Sequence, residues 1–125
     1  MISDYFKSIE QLLNNSKLIT DKTVDFKQFS NDEGMIRGQI LFLGGCVLNF
    51  MEYIRIGRDR PKYRFNFSYG KGSMIFRYDN AAHHEEIYTF PHHKHTPTDI
   101  KPSIEIGLAE VVSEIEIMIL SDFDK

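Results

Sequence analysis

Residues 62–69 alternate without a break, with Tyr63, Phe65, Phe67 and Tyr69 on one side and Lys62, Arg64, Asn66 and Ser68 on the other. Only an extended chain puts every second side chain on one face, so this segment is a β-strand with an apolar and a polar face. Such a strand needs neighbours for its backbone groups and a layer to cover its aromatic side. The flanking sequence supplies both. Met35 to Leu43 and Cys46 to Ile56 are strand-like and flank Gly44-Gly45, a two-residue hairpin signal. Within Leu18 to Phe29, Val24 and Phe26 alternate with charged neighbours, as on an edge strand. Beyond Gly70-Lys71-Gly72, the segment Met74 to Asp79 reads as one strand more.

Two segments have a different period. Phe6, Ile9, Leu12 and Leu13 fit one face of a helix over Ser3 to Asn15, with Ser3 or Asp4 as its cap. Ile104, Leu108, Val111, Val112, Ile115 and Ile119 do the same over Ser103 to Leu120, with glutamates opposite and Pro102 in the first turn. The expected fold is therefore α+β. Residues 1–125 form a single domain, an antiparallel meander of about five strands with an N-terminal and a C-terminal helix. One sheet face is covered by helices and the other is wet. The histidine-rich stretch after Asp79 is expected as an excursion from the sheet.

Several classes are excluded. The longest apolar run, around Ile40 to Leu48, falls short of a membrane-spanning helix and is interrupted by two glycines. Cys46 is the single cysteine, which excludes an internal disulfide and any multi-cysteine zinc site. Met1-Ile2-Ser3-Asp4 has no basic region of the kind that opens a signal peptide. A cytoplasmic protein without a membrane partner is the expectation. No Ser–His–Asp order, P-loop or dinucleotide-binding glycine pattern is present.

The formal charge of −3 conceals a strong asymmetry. Between Tyr53 and Tyr78 lie seven basic residues (Arg55, Arg58, Arg60, Lys62, Arg64, Lys71 and Arg77) and one acid, Asp59, a local net of +6 that leaves −9 for the remainder. That distribution is the footprint of a protein that binds something anionic. A solvated outer sheet face is the plainer account. All five histidines follow at once, between His83 and His95.

The densest stretch runs Phe76-Arg77-Tyr78-Asp79-Asn80-Ala81, one further residue, then His83-His84, followed by Thr89-Phe90-Pro91-His92-His93-Lys94-His95. This pattern resembles the TumE family, the toxin components of certain bacterial and archaeal toxin–antitoxin pairs. The resemblance extends over most of the chain. It implies a cognate antitoxin from a neighbouring gene as partner, and a toxic activity directed at RNA. It does not by itself settle a mechanism.

The residues suggest one. Histidine both takes and gives a proton near neutral pH. Metal-free RNA cleavage needs a base for the 2′-hydroxyl, an acid for the 5′-oxygen and cations for the phosphorane. His83 or His84 with His92, His93 or His95 supplies the first two, and Arg77 with Lys94 the third. Asp79 shares a strand face with Arg77 and can orient a histidine or bridge to the arginine. Arg55, Arg58, Lys62 and Arg64 are the candidates for holding phosphates along the RNA. Each histidine also has a plain structural reading, in a loop or beside Pro91. Asn80 reads as a turn residue as readily as a catalytic one.

Two alternatives stay open. His93-x-His95 on an extended segment puts both imidazoles on one face, and His83 or His84 with Asp79 or Glu86 completes a divalent-metal site; otherwise no cofactor is expected. The basic strands alone suit a non-catalytic module that binds nucleic acid or an acidic protein. Glu52 is a further oddity. It lies on the apolar face of its strand with Leu48, Phe50, Ile54 and Ile56, where a carboxylate needs a partner. Arg37 or Arg77 on a neighbouring strand would make it a buried pair; a role as general base is the other reading. Cys46 reads as a packed small residue, and the aromatic face of residues 63–69 as core rather than as a stacking platform for bases. From Ser103 onward there are six acids and one base, a surface for an antitoxin or for a second copy in a homodimer.

Overall fold

Alternating strands and two amphipathic helices assemble into two layers. The computed structural model describes residues 1–82 and 86–123. Helix α1 (Ile2–Asn15) is followed by β1 (Ile19–Gln28), β2 (Glu33–Phe42), β3 (Val47–Arg55), β4 (Asp59–Ser68) and β5 (Met74–Asp79). Then come β6 (His93–Thr96), β7 (Asp99–Pro102) and α2 (Leu108–Phe123). The strands lie in one antiparallel sheet in chain order, with β1 and β7 as its edges. Gly44 and Gly45 turn β2 into β3 with φ of 97° and 94°; the Gly45 amide donates to the Phe42 carbonyl and the Phe42 amide to the Cys46 carbonyl, so the loop is Leu43-Gly44-Gly45, one residue longer than the expected two-residue hairpin.

Register fixes which side chains share a face. Ile36 pairs with Glu52 and Glu52 with Tyr63; Gly38 pairs with Phe50 and Phe50 with Phe65; Phe65 then pairs with Tyr78. These residues face both helices. Ile2, Phe6, Ile9 and Leu13 of α1 and Leu108, Val111, Val112, Ile115 and Ile119 of α2 complete one buried cluster with them. α1 approaches β2 so closely that a Cβ at Gly34 would lie 2.7 Å from the Phe6 ring, which is why glycine stands there. Tyr63, Phe65 and Phe67 are core, as their alternation predicts, while Tyr69 at the strand's end is exposed. Among the described residues no helix is long and apolar enough to cross a membrane.

Three expectations are corrected. The sheet has seven strands rather than about five, because the end of the histidine segment returns to the sheet: His93–Thr96 pairs with β5 and Asp99–Pro102 pairs with β6. α1 starts at Ile2, so Ser3 and Asp4 lie within its first turn rather than at its cap. α2 starts at Leu108, not near Ser103, because Pro102 ends β7 and Arg60 holds the Glu105 carboxylate and the Ile106 carbonyl ahead of the helix. Ile104 is accordingly 80% exposed instead of packed.

Candidate functional site

The seam between β5 and β6 places the chemistry. His92 precedes β6, and alternation along the strand then sends Lys94 to the helix side and His93 and His95 to the uncovered face. The segment is fastened by Thr89, whose Oγ1 donates to the His92 carbonyl at 2.7 Å and accepts from the Ser103 amide at 3.0 Å. Arg77 pairs with His95 and Asp79 with His93, so β5 delivers an arginine and an aspartate to the same face.

These groups converge on Asp79. Its Oδ1 lies 2.8 Å from His93 Nε2, and its Oδ2 lies 3.6 Å from His95 Nε2 and 3.4 Å from Arg77 Nε. The two imidazoles meet edge to face, with ring centroids 4.7 Å apart. Asp79 is 6% exposed, His93 1% and His95 9%. The ring nitrogens thus contact a desolvated carboxylate. The other nitrogen of His93, Nδ1, is 2.9 Å from the Pro91 carbonyl, which can only accept, so Nδ1 carries a proton. A neutral His93 would then set the Nε2 lone pair against a carboxylate oxygen. A bound cation, or a proton shared between the imidazole and the carboxyl group, resolves that conflict. Asp79 also accepts the Ala81 amide at 3.1 Å, which fixes the carboxylate from the chain leaving β5.

A basic hollow adjoins this cluster. Arg37, Met51, Arg64, Asp79 and His93 form one row across β2 to β6, and Gln39, Asn49, Asn66, Arg77 and His95 form the next. Arg37, Asn49, Met51, Arg64, Asn66 and Arg77 line a cavity of about 580 Å³ in the uncovered face. Arg77 belongs to both, lining the hollow and touching Asp79. Its neighbours Arg64 and Arg37 are exposed. An anion entering the hollow meets three guanidinium groups next to two buried imidazoles.

Other candidates fall elsewhere. Glu52 is wholly buried, and its partner is neither Arg37 nor Arg77, both of which alternation puts on the opposite face. Arg60 takes that place, donating to Glu52 Oε2 at 2.6 Å, while Tyr5 of α1 donates to Oε1 at 2.9 Å. The Arg60 guanidinium lies 4.0 Å from the Tyr63 ring centroid and also donates to the Ile106 carbonyl. Burial above all, and then the Glu52 carboxylate, push the Tyr5 phenol far up. His92 stacks on Tyr63, with Nδ1 2.7 Å from its hydroxyl, and burial pushes that phenol up to about 12. Lys94 reaches Glu114 of α2 at 2.8 Å beneath the Phe76 and Tyr78 rings. Burial works against its charge, but Glu114 and Tyr78 outweigh burial and raise its pKa. Glu52, His92 and Lys94 thus stand on the helix-covered side, away from the Asp79 cluster.

Of the expected phosphate contacts, Lys62 and Arg64 share the uncovered face, whereas Arg55 and Arg58 are engaged with Asp59 and Glu33 near the β3–β4 turn. Asn80 acts as a fastener: its Oδ1 accepts the Tyr63 amide at 2.9 Å and its Nδ2 donates to the Arg60 and Pro61 carbonyls. Cys46 is half-buried against the core. His83 and His84 lie outside the described residues. Asn49 and Asn66 were not singled out in the sequence and Arg37 was named there only as a partner for Glu52, although their period-two places opposite Ile36, Leu48 and Phe65 already put them on the polar face.

An open seven-stranded sheet, roofed by two helices and bearing a buried histidine–aspartate cluster beside an arginine-lined hollow, is the class of structure that this sequence builds. The family model described as Toxin TumE matches residues 9–119, most of the chain, and the protein belongs to that family. Neither the curated proteins nor the solved structures contain a significant match.

Proposed function

We propose that this protein is the toxin of a toxin–antitoxin pair, that it works in the cytoplasm, and that it acts on RNA as a ribonuclease centred on Asp79, His93 and His95. Membership of the TumE family supports the toxin and its cognate antitoxin. The observation that carries the chemistry is the continuity of the histidine–aspartate cluster with the arginine-lined hollow, joined through Arg77.

In this reading the scissile phosphate lies between Arg77 and Arg64, whose guanidinium groups hold it and stabilise the charge that grows on the phosphorane. A base removes the 2′-hydroxyl proton, the 2′-oxygen attacks phosphorus, and the bond to the 5′-oxygen breaks as an acid protonates that oxygen. The products are a 2′,3′-cyclic phosphate and a 5′-hydroxyl. His95, the less enclosed of the two cluster histidines, is the proton-transfer group nearest the hollow. The motif pair His83-His84 supplies the second. Asp79 orients His95, and His93, held between the Pro91 carbonyl and Asp79, acts through that carboxylate as a positioning residue. Glu52, His92 and Lys94 leave the catalytic list and serve the fold.

A second reading has one specific observation in its favour. Donor atoms of Asp79, His93 and His95 all lie within 4.8 Å of one another, and a divalent cation would relieve the lone-pair conflict at His93 Nε2. The same residues would then serve a metal-dependent hydrolase. Purified protein without a histidine tag, assayed on labelled single-stranded RNA, separates the readings. Metal-free acid–base cleavage survives chelator, metal-dependent cleavage does not, and a pure binding module gives salt-sensitive binding without cleavage. In cells, induction arrests growth, co-expression of the neighbouring gene relieves it, and His95→Gln abolishes it.

A further inference from the structure

We propose that Asn49 and Asn66 form a nucleobase-binding subsite, so that this face accepts single-stranded RNA and cleaves it with a base preference. The inference rests on the ribonuclease reading for its chemistry but on different residues for its geometry. Asn49 of β3 and Asn66 of β4 are directly opposite each other in the register, and both line the hollow. Among the described residues no other side chain engages either amide. Each amide offers one acceptor and two donors. A pair of them on facing strands matches the mixed donor–acceptor edge of a base, as guanidinium groups by themselves do not.

The surroundings fit the same ligand. Met51 pairs with Arg64 in the adjacent row and lines the hollow, giving a polarizable apolar surface for a base face. Asn66 is followed in its row by Arg77 and then His95, each one strand further on. Neighbouring strands are about 4.8 Å apart, so a base at the asparagines would place its own ribose and phosphate over Arg77 and its 2′-hydroxyl toward His95. Base, phosphate and proton-transfer group then follow one another in the order of a single nucleotide. A paired base has its Watson–Crick edge occupied, so the subsite selects unpaired RNA.

The test uses the intact protein on four single-stranded RNAs that differ only in the base 5′ of the cleavable bond, with binding followed in parallel by fluorescence anisotropy. Wild type is expected to favour one base by at least about tenfold, the range of one good amide–base contact. In Asn49→Ala/Asn66→Ala the preference collapses to about twofold or less, while Arg77→Ala weakens all four substrates alike. Both asparagines sit in exposed or half-buried positions on the wet face, and an unchanged thermal melt confirms that the variant is folded. Equal cleavage of all four RNAs by wild type overturns the subsite while leaving the ribonuclease reading intact. So does a base preference that survives the double substitution. Base-selective binding without cleavage keeps the subsite and overturns the catalytic reading instead. Failure to bind any of the RNAs overturns both.

Discussion

Two buried carboxylates divide the work of this molecule between the faces of its sheet. Glu52, on the helix-covered face, is matched by Arg60 and the Tyr5 hydroxyl, a permanent cation and a phenol that stays protonated. Its network ties β3 to α1, to β4 and to the chain ahead of α2. Asp79, on the uncovered face, is matched by two imidazoles and one arginine beside an open hollow. The first set of partners does not change charge near neutral pH, so it holds the fold. The second contains imidazoles, the side-chain type that acid–base chemistry most often uses. A carboxylate's partners, rather than its burial, separate the structural site from the proposed reactive one.

Substitutions break or sharpen that contrast. His95→Gln should lower RNA cleavage by about 10²–10⁴-fold, the usual share of a positioned proton-transfer group, with the urea midpoint nearly unchanged. A cleavage rate within threefold of wild type would place the reactive centre elsewhere. Glu52→Ala should do the reverse on the other face. It leaves the largely buried Arg60 charge with only the exposed Glu105 carboxylate and should cost about 3 kcal/mol in equilibrium urea denaturation. Glu52→Leu/Arg60→Met should regain at least half of that loss, because an apolar pair does not strand a charge. If the double variant is less stable than Glu52→Ala, the ion pair is not the source of the effect.

Smaller effects probe the edges of the comparison. Arg37→Ala should weaken RNA binding uniformly across sequences and reduce the salt slope by about 1, one phosphate contact, without altering stability. The smallest effect lies at high pH. Burial pushes the Tyr63 phenol up to about 12 and raises that of Tyr5 as well, against an ordinary phenol near 10. Their folded values are raised, so the stability they contribute is fully present below pH 10 and is lost as pH rises through the folded pKa. Ultraviolet titration of phenolate with a parallel unfolding curve should show stability constant up to pH 10 and falling beyond it. A decline that begins well below pH 10 would mean that these phenols are not buried as described.

The contrast between the faces also shows where the sequence is legible. The alternation of Lys62 to Tyr69 and the Gly44-Gly45 turn specify the central hairpins because every second residue is a large apolar side chain. β6 and β7 lack that signature. They are four residues each, their sides carry His, Lys, Thr and Asp instead of an apolar row, and only the pairing of β6 with β5 and of β7 with β6 makes them strands. The histidine motif marks the segment that packs on Asp79, but only the pairing of β6 separates His93 and His95 from His92 and Lys94. Alternation also held the means to reject Arg37 and Arg77 as partners of Glu52. It gave no means to find Arg60, which strict period two would send outward with Lys62 and Arg64. At the end of β4, beside the register irregularity between Tyr53 and Arg55, that arginine turns inward.

The central claim is that the uncovered face, through His95 and its Asp79-centred partners, cleaves RNA by proton transfer. Untagged wild-type protein and His95→Gln, incubated with end-labelled single-stranded RNA in excess chelator, test it directly through the termini they leave. The account predicts wild-type fragments ending in 2′,3′-cyclic phosphate and none above background from the variant. Cleavage by His95→Gln at the wild-type rate, or wild-type cleavage that vanishes in chelator and returns with a divalent metal, would contradict it.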